Sequence, residues 1–142
     1  MQILLIFVLV IGGLGVFVGF WMAGSWLLAL LSGWRALARR YRVAGEANLA
    51  MQNTSGMFVM AWLGMVSYEN VLHVGASPGG LELRVMGLFR AGHPPLRIPW
   101  VEVRVQDERA GLFRSQTLLE LGSHGAILRL PSKVWQGLNR PR

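Results

Sequence analysis

From Ile3 to Leu31 only one side chain, Ser25, is neither apolar nor glycine. About 20 helical residues cross the hydrocarbon core of a bilayer, so this run reads as a transmembrane helix, with residues 1–33 as the membrane segment. At 1.5 Å per residue it measures about 43 Å against a core of about 30 Å, and it must tilt, bend or run into the interface. Trp21, Trp26 and Trp34 fit the last option, because indole rings favour the headgroup level. A cleaved signal peptide is the competing reading, since Ala23 and Ser25 imitate a small-residue cleavage site. The absence of positive charge before the run, its length and its continuation through Leu31 oppose cleavage.

Every charged side chain lies from Arg35 onward, and Arg35, Arg39, Arg40 and Arg42 supply four units of the net charge of +7. What remains is dilute and interspersed with acids, unlike the basic stripe of a nucleic-acid binder, and no nucleic-acid partner is expected. Positive charge flanks only the carboxyl end of the run. The positive-inside rule therefore puts the amino terminus outside and the rest of the chain in the cytoplasm. With no cysteine, disulfides and thiolate metal sites are excluded.

Residues 34–56 form a juxtamembrane segment. On a helical wheel Trp34, Leu37, Ala38 and Tyr41 share one arc and the four arginines lie outside it. Trp34, Arg35, Arg39, Arg40, Tyr41 and Arg42 are accordingly expected at the membrane interface, the stripe against lipid and the arginines near anionic headgroups. A solvated helix whose stripe packs on the following domain is the alternative. Residues 44–56 read as a helical tail ending in a turn at Asn53–Gly56. Within the span, Gly15, Gly19 and Ala23 make a small-xxx-small ladder, a candidate surface for self-association or for docking to another membrane protein.

Residues 57–142 read as a small β domain. "MFVMAWLGMV" is too short to span as a helix and is taken as a strand, with a shallow interfacial contact as the other option. In "YENVLHVGASPGGLELRVMGLF" two strands flank a turn in which Pro78 presets one angle and Gly79 takes the left-handed one. Leu81, Leu83 and Val85 alternate with polar neighbours, as do Val101, Val103 and Val105. "AGHPPLRIPW" reads as a loop and "DERAG" as a turn, followed by the strands "SQTLLEL" and "AILRL", for about six strands in all. Ser132 is placed as the cap of a closing helix of about eight residues, with Val134, Trp135 and Leu138 facing inward. The fold class is thus membrane-anchored α+β: one N-terminal transmembrane helix, then a small antiparallel β-barrel or sandwich with a short C-terminal helix.

Catalytic chemistry finds little support. "GASPG", Gly75 to Gly79, matches G-x-S-x-G, but Pro78 has no N–H to offer an oxyanion hole and the context is a hairpin. His73, His93 and His124 have no ligand at a recognised metal spacing. Glu82, Glu102 and Glu120 fall at polar strand positions and form no evident acid–base pair. No catalytic residue, metal, cofactor or small-molecule substrate is expected.

The stretches "ENVLHVGASPGGLELRV", "PPLRIPWVEVRV" and "AILRLPSKVW" make residues 57–140 resemble the small pleckstrin-homology-like domains of the GRAM type found in bacterial membrane proteins. The resemblance implies a barrel plugged by a helix after its last strand, and a place at the bacterial inner membrane. The closing helix is shorter than in that pattern, so no binding residue carries over. The expected function is a non-enzymatic, membrane-tethered interaction or scaffold module whose partners are the bilayer and another protein or a second copy. The alternative is a sensor of anionic lipid that uses the juxtamembrane arginines together with Arg90 and Arg97.

Overall fold

The computed structural model describes residues 1–43, 56–110, 115–123 and 125–138. The apolar run forms one helix, α1 (Gln2–Leu31), long and apolar enough to cross a membrane. It breaks at Ser32–Gly33, where Gly33 takes φ +81°, and the chain restarts as α2 (Trp34–Tyr41). The Ser32 hydroxyl accepts the Trp34 amide at 3.3 Å, satisfying a helix-start N–H that has no partner within α2.

Seven antiparallel strands follow: β1 (Gly56–Leu63), β2 (Val66–Ser77), β3 (Gly80–Val85), β4 (Leu96–Ile98), β5 (Val103–Ala110), β6 (Ser115–Leu121) and β7 (Ala126–Pro131). Their order is β4-β3-β2-β1-β7-β6-β5, a sheet curled into a half-barrel. β1 sits at the centre, pairing with β2 along its length and with β7 at Trp62 and Leu63. A short helix, α3 (Ser132–Gly137), ends the described chain.

Alternation selects the buried face. Leu81, Leu83 and Val85 of β3, Leu72 and Val74 of β2, and Leu119 and Leu121 of β6 all join one apolar core. α2 adds Trp34, Leu37 and Tyr41 to it, and Val134, Trp135 and Leu138 come from α3 and its end. Each such side chain, fully buried, contributes about 1.5–3 kcal/mol. The two helices therefore belong to the same core as the sheet.

Several expectations need correction. The loop before Trp100 contains β4, held by pairs Leu81–Ile98, Glu82–Arg97 and Leu83–Leu96. "MFVMAWLGMV" is split by a turn at Gly64–Met65, and "GLF" after β3 is a 3₁₀ turn (Gly87–Phe89). Asp107 and Glu108 lie inside β5, whose register with β6 shifts between Val105 and Asp107. At the β2–β3 hairpin the unusual backbone falls on Gly80, φ +151°, and not on Gly79. A Cβ at Gly80 would stand 2.1 Å from the Ile98 carbonyl oxygen, so strand β4 can pair only because that position is bare. Ser132 begins α3 but does not cap it; Pro131 is the capping residue, and the Ser132 hydroxyl accepts from Thr117 Oγ1 at 2.9 Å. The tail and turn expected over 44–55 lie outside the described residues, and Gly56 already opens β1.

Candidate functional site: the helix–sheet junction

The apolar stripe of α2 does not face outward. Trp34 and Leu37 are fully buried and Tyr41 nearly so, all against the sheet. Trp34 and Tyr41 are thus corrected from membrane-interface to core residues: a curved apolar sheet face competes for the same stripe and covers it, leaving only Ala38 partly exposed. Arg35, Arg39, Arg40 and Arg42 remain exposed. Arg35 stacks over the Trp26 ring at 4.6 Å. Arg40 reaches Glu102 at 3.3 Å and Ser123 at 3.1 Å, while the Tyr41 hydroxyl donates to Glu102. Burial, and then that donation to a carboxylate, raise the Tyr41 pKa.

The last third of α1 is built into the same assembly. Ser25 and Ala29 are its two buried residues. The Ser25 hydroxyl lies 3.0 Å from the Phe89 carbonyl and 2.9 Å from that of Ala91. One helical turn earlier, Trp21 Nε1 donates to the Leu88 carbonyl at 2.7 Å and its ring packs on Phe89. Gly92, at φ +76°, lets the loop touch the helix: a Cβ there would lie 3.0 Å from Trp26 Cα.

A buried polar chain locks these parts. Tyr68 on β2 donates to Ser32 Oγ at 2.9 Å, and its oxygen lies 2.9 Å from His93 Nε2. His93 is 2% exposed, with Nδ1 3.2 Å from the Ala91 carbonyl. Trp34 Nε1 donates to the Pro94 carbonyl at 2.9 Å, and the Trp34, Tyr68 and His93 rings pack edge to face or tilted. Burial pushes the Tyr68 hydroxyl up to about 12 and holds His93 below its ordinary value. Both groups are therefore neutral near pH 7, as a dry hydrogen-bonded site requires. Beside them a groove of about 240 Å³ runs between Ser25, Leu28, Tyr68 and Phe89.

The other residues singled out in the sequence lie elsewhere. Gly15, Gly19 and Ala23 are exposed on α1, and a Cβ at either glycine would meet nothing within 4 Å. Ser77 ends β2, its hydroxyl 3.3 Å from the Gly80 carbonyl in the hairpin. His73 is buried beside Phe58 and Arg84, and burial, followed by the Arg84 charge, lowers its pKa. His124 lies outside the described residues. Glu82 is 1% exposed and not, as expected, on a wet strand face; Arg97 bonds it from Nε at 2.9 Å and Nη2 at 2.7 Å. That pairing commits Arg97 to the sheet and leaves Arg90 exposed. Among the described residues no three His, Asp or Glu side chains come together as a metal site.

Sequence reasoning missed the Ser25, Ser32, Tyr68 and His93 set. One signal was present: Ser25 is the lone polar side chain in the apolar run, and a lone hydroxyl there asks for a carbonyl outside the helix or one turn back. The chain matches no protein-family model, and no curated protein or solved structure matches it.

Proposed function

We propose that the chain is a non-enzymatic membrane-tethered interaction module: α1 spans the bacterial inner membrane with its amino terminus outside, and a pleckstrin-homology-like domain of the GRAM type stands at the cytoplasmic face. One observation carries this reading. The apolar helix enters the domain through Ser25, Ala29 and the buried Ser32–Tyr68–His93 chain, so span and sheet form one body. A leader destined for removal has no need of such joinery. A domain held this way is presented at fixed height and orientation, and confinement raises its effective concentration toward any partner in the same membrane. The central β1, the seven-strand order and the closing α3 support the pleckstrin-homology-like assignment.

The open Gly15–Gly19–Ala23 face supports partnering through the span. Mild detergent extraction of the wild type and of Gly15→Leu/Gly19→Leu tests it. The wild type should bring down a second copy or a stoichiometric partner and the double variant should lose it. A wild type recovered strictly alone overturns the reading.

The exposure of all four arginines on the outer side of α2 favours a second reading, in which they hold anionic headgroups at about 1 kcal/mol each. It requires hydrogen-exchange protection of 35–42 in anionic nanodiscs that high salt removes. Equal exchange in neutral and anionic lipid contradicts it.

A further inference from the structure

We infer that the 3₁₀ turn after β3, Met86–Arg90, is a second membrane contact, a foot by which the β domain rests in the bilayer beside α1. The inference rests on the reading of α1 as a membrane span. The stretch Gln2–Trp21 rises about 30 Å, the thickness of the hydrocarbon core. Placing the boundary on the domain side at Trp21 leaves a full core thickness of helix before it, and an indole suits that level. The turn is fixed at the same level, because Trp21 Nε1 bonds the Leu88 carbonyl and the Trp21 ring packs on Phe89 at 5.1 Å. Any tilt of α1 lengthens the part of the helix inside the core and carries Leu88 deeper.

The side chains offered at that level are apolar. Leu88 is 69% exposed and Met86 39%, costly positions for a turn that faces water alone. Between the turn and the helix lies an apolar-walled groove of about 350 Å³ bounded by Phe20, Trp21, Gly24, Leu27 and Phe89, open and continuous with the bare surface of α1. An acyl chain is the occupant that this continuity selects, since the same lipid must already cover the adjoining helix face. Charge agrees. Arg90 is exposed directly after the turn, and Arg35 stacks on Trp26 a little over one helical turn beyond Trp21, so two cations stand on the domain side of the boundary, where phosphate headgroups would lie. The surplus length of the helix beyond Trp21 holds the loop that follows the turn, through Ser25 to Ala91 and through Trp26 and Ala29 to Gly92.

Because the chain has no cysteine, single spin labels report position cleanly. Labels at Leu88→Cys, at Val10→Cys in mid-span and at Val101→Cys, 86% exposed on the domain, are compared in the full-length protein in vesicles of mixed anionic and neutral lipid. Collision with oxygen, which partitions into lipid, is measured against collision with a water-soluble nickel chelate. The foot requires position 88 to resemble position 10, open to oxygen and shielded from the chelate, while position 101 is open to the chelate. Position 10 in lipid with position 88 open to the chelate overturns the foot alone. Position 88 shielded from both reagents means protein covers it, which also overturns the foot. Position 10 open to the chelate overturns the membrane reading, and the foot with it. The substitution at Leu88 removes no hydrogen bond, since only its backbone carbonyl is engaged.

Discussion

Replacing Tyr68 by Phe removes one oxygen from the junction and leaves the ring in place. That oxygen donates to Ser32 and meets His93 Nε2, both at 2.9 Å, among buried side chains. A neutral hydrogen bond contributes about 1 kcal/mol net, and a buried polar group stripped of its partner costs about 1–3 kcal/mol. Ser32 keeps other partners, its hydroxyl 3.3 Å from the Ala29 carbonyl and accepting the Trp34 amide, so the larger share of the loss falls on His93. The total is about 2 kcal/mol, which for a chain of this size lowers the thermal midpoint by about 6–8 °C. Circular dichroism of the full-length protein in detergent measures it. His93→Leu and the double variant complete a cycle in which the two changes should fall short of additivity by about 1–2 kcal/mol. A Tyr68→Phe midpoint within a degree of wild type, or strict additivity, would refute the claim that this chain of bonds joins helix to sheet.

Stability should also fall in mild acid. His73 and His93 are held below their ordinary value by burial, so below about pH 6.5 the unfolded chain takes up protons that the folded one does not. Each histidine lowers stability by up to about 1.4 kcal/mol per pH unit until its folded pKa is reached; denaturant titrations from pH 7.5 to 5 should show a slope that His93→Leu reduces. Gly80→Ala should cost more than about 3 kcal/mol by forcing β4 away from β3, whereas Gly79→Ala, whose Cβ meets the Arg97 side chain at 3.1 Å and no backbone atom of β4, should cost less in the same assay. Arg97→Ala strands the buried Glu82 carboxylate, and the expected loss is about 3 kcal/mol, recovered in part by Glu82→Gln/Arg97→Ala.

What the sequence made legible follows from which signals have a single physical source. An apolar run of this length admits one structure, and α1 spans it from Gln2 to Leu31. Period-2 alternation gave β3 and its inward Leu81, Leu83 and Val85. The stripe of α2 was equally clear, but its partner was not: lipid and a sheet interior are both apolar, and a helical wheel cannot tell them apart. β4 was hidden because three residues between prolines are too few to alternate, and the burial of Glu82 was hidden with it, since the partner Arg97 comes from that strand. "DERA" has turn composition, yet pairing with β6 and a bulge keep it extended. His93 sat in a proline-rich stretch that reads as wet; Trp34 of α2 and Tyr68 of β2, both distant in sequence, enclose it.

The central claim is that α1 and the sheet are one body, and a disulfide between α1 and the loop that packs on it tests it. A Cβ at Gly92 stands 3.2 Å from the Cβ of Ala29, a few tenths of an ångström short of the about 3.5–4.5 Å of a disulfide, and no native cysteine competes. In membranes under mild oxidation, Ala29→Cys/Gly92→Cys should close almost completely within each chain, leaving neither thiol open to maleimide. Two thiols that stay reduced and label independently, in a double variant whose circular dichroism and thermal midpoint match the wild type, would mean that the helix and the sheet are not joined there.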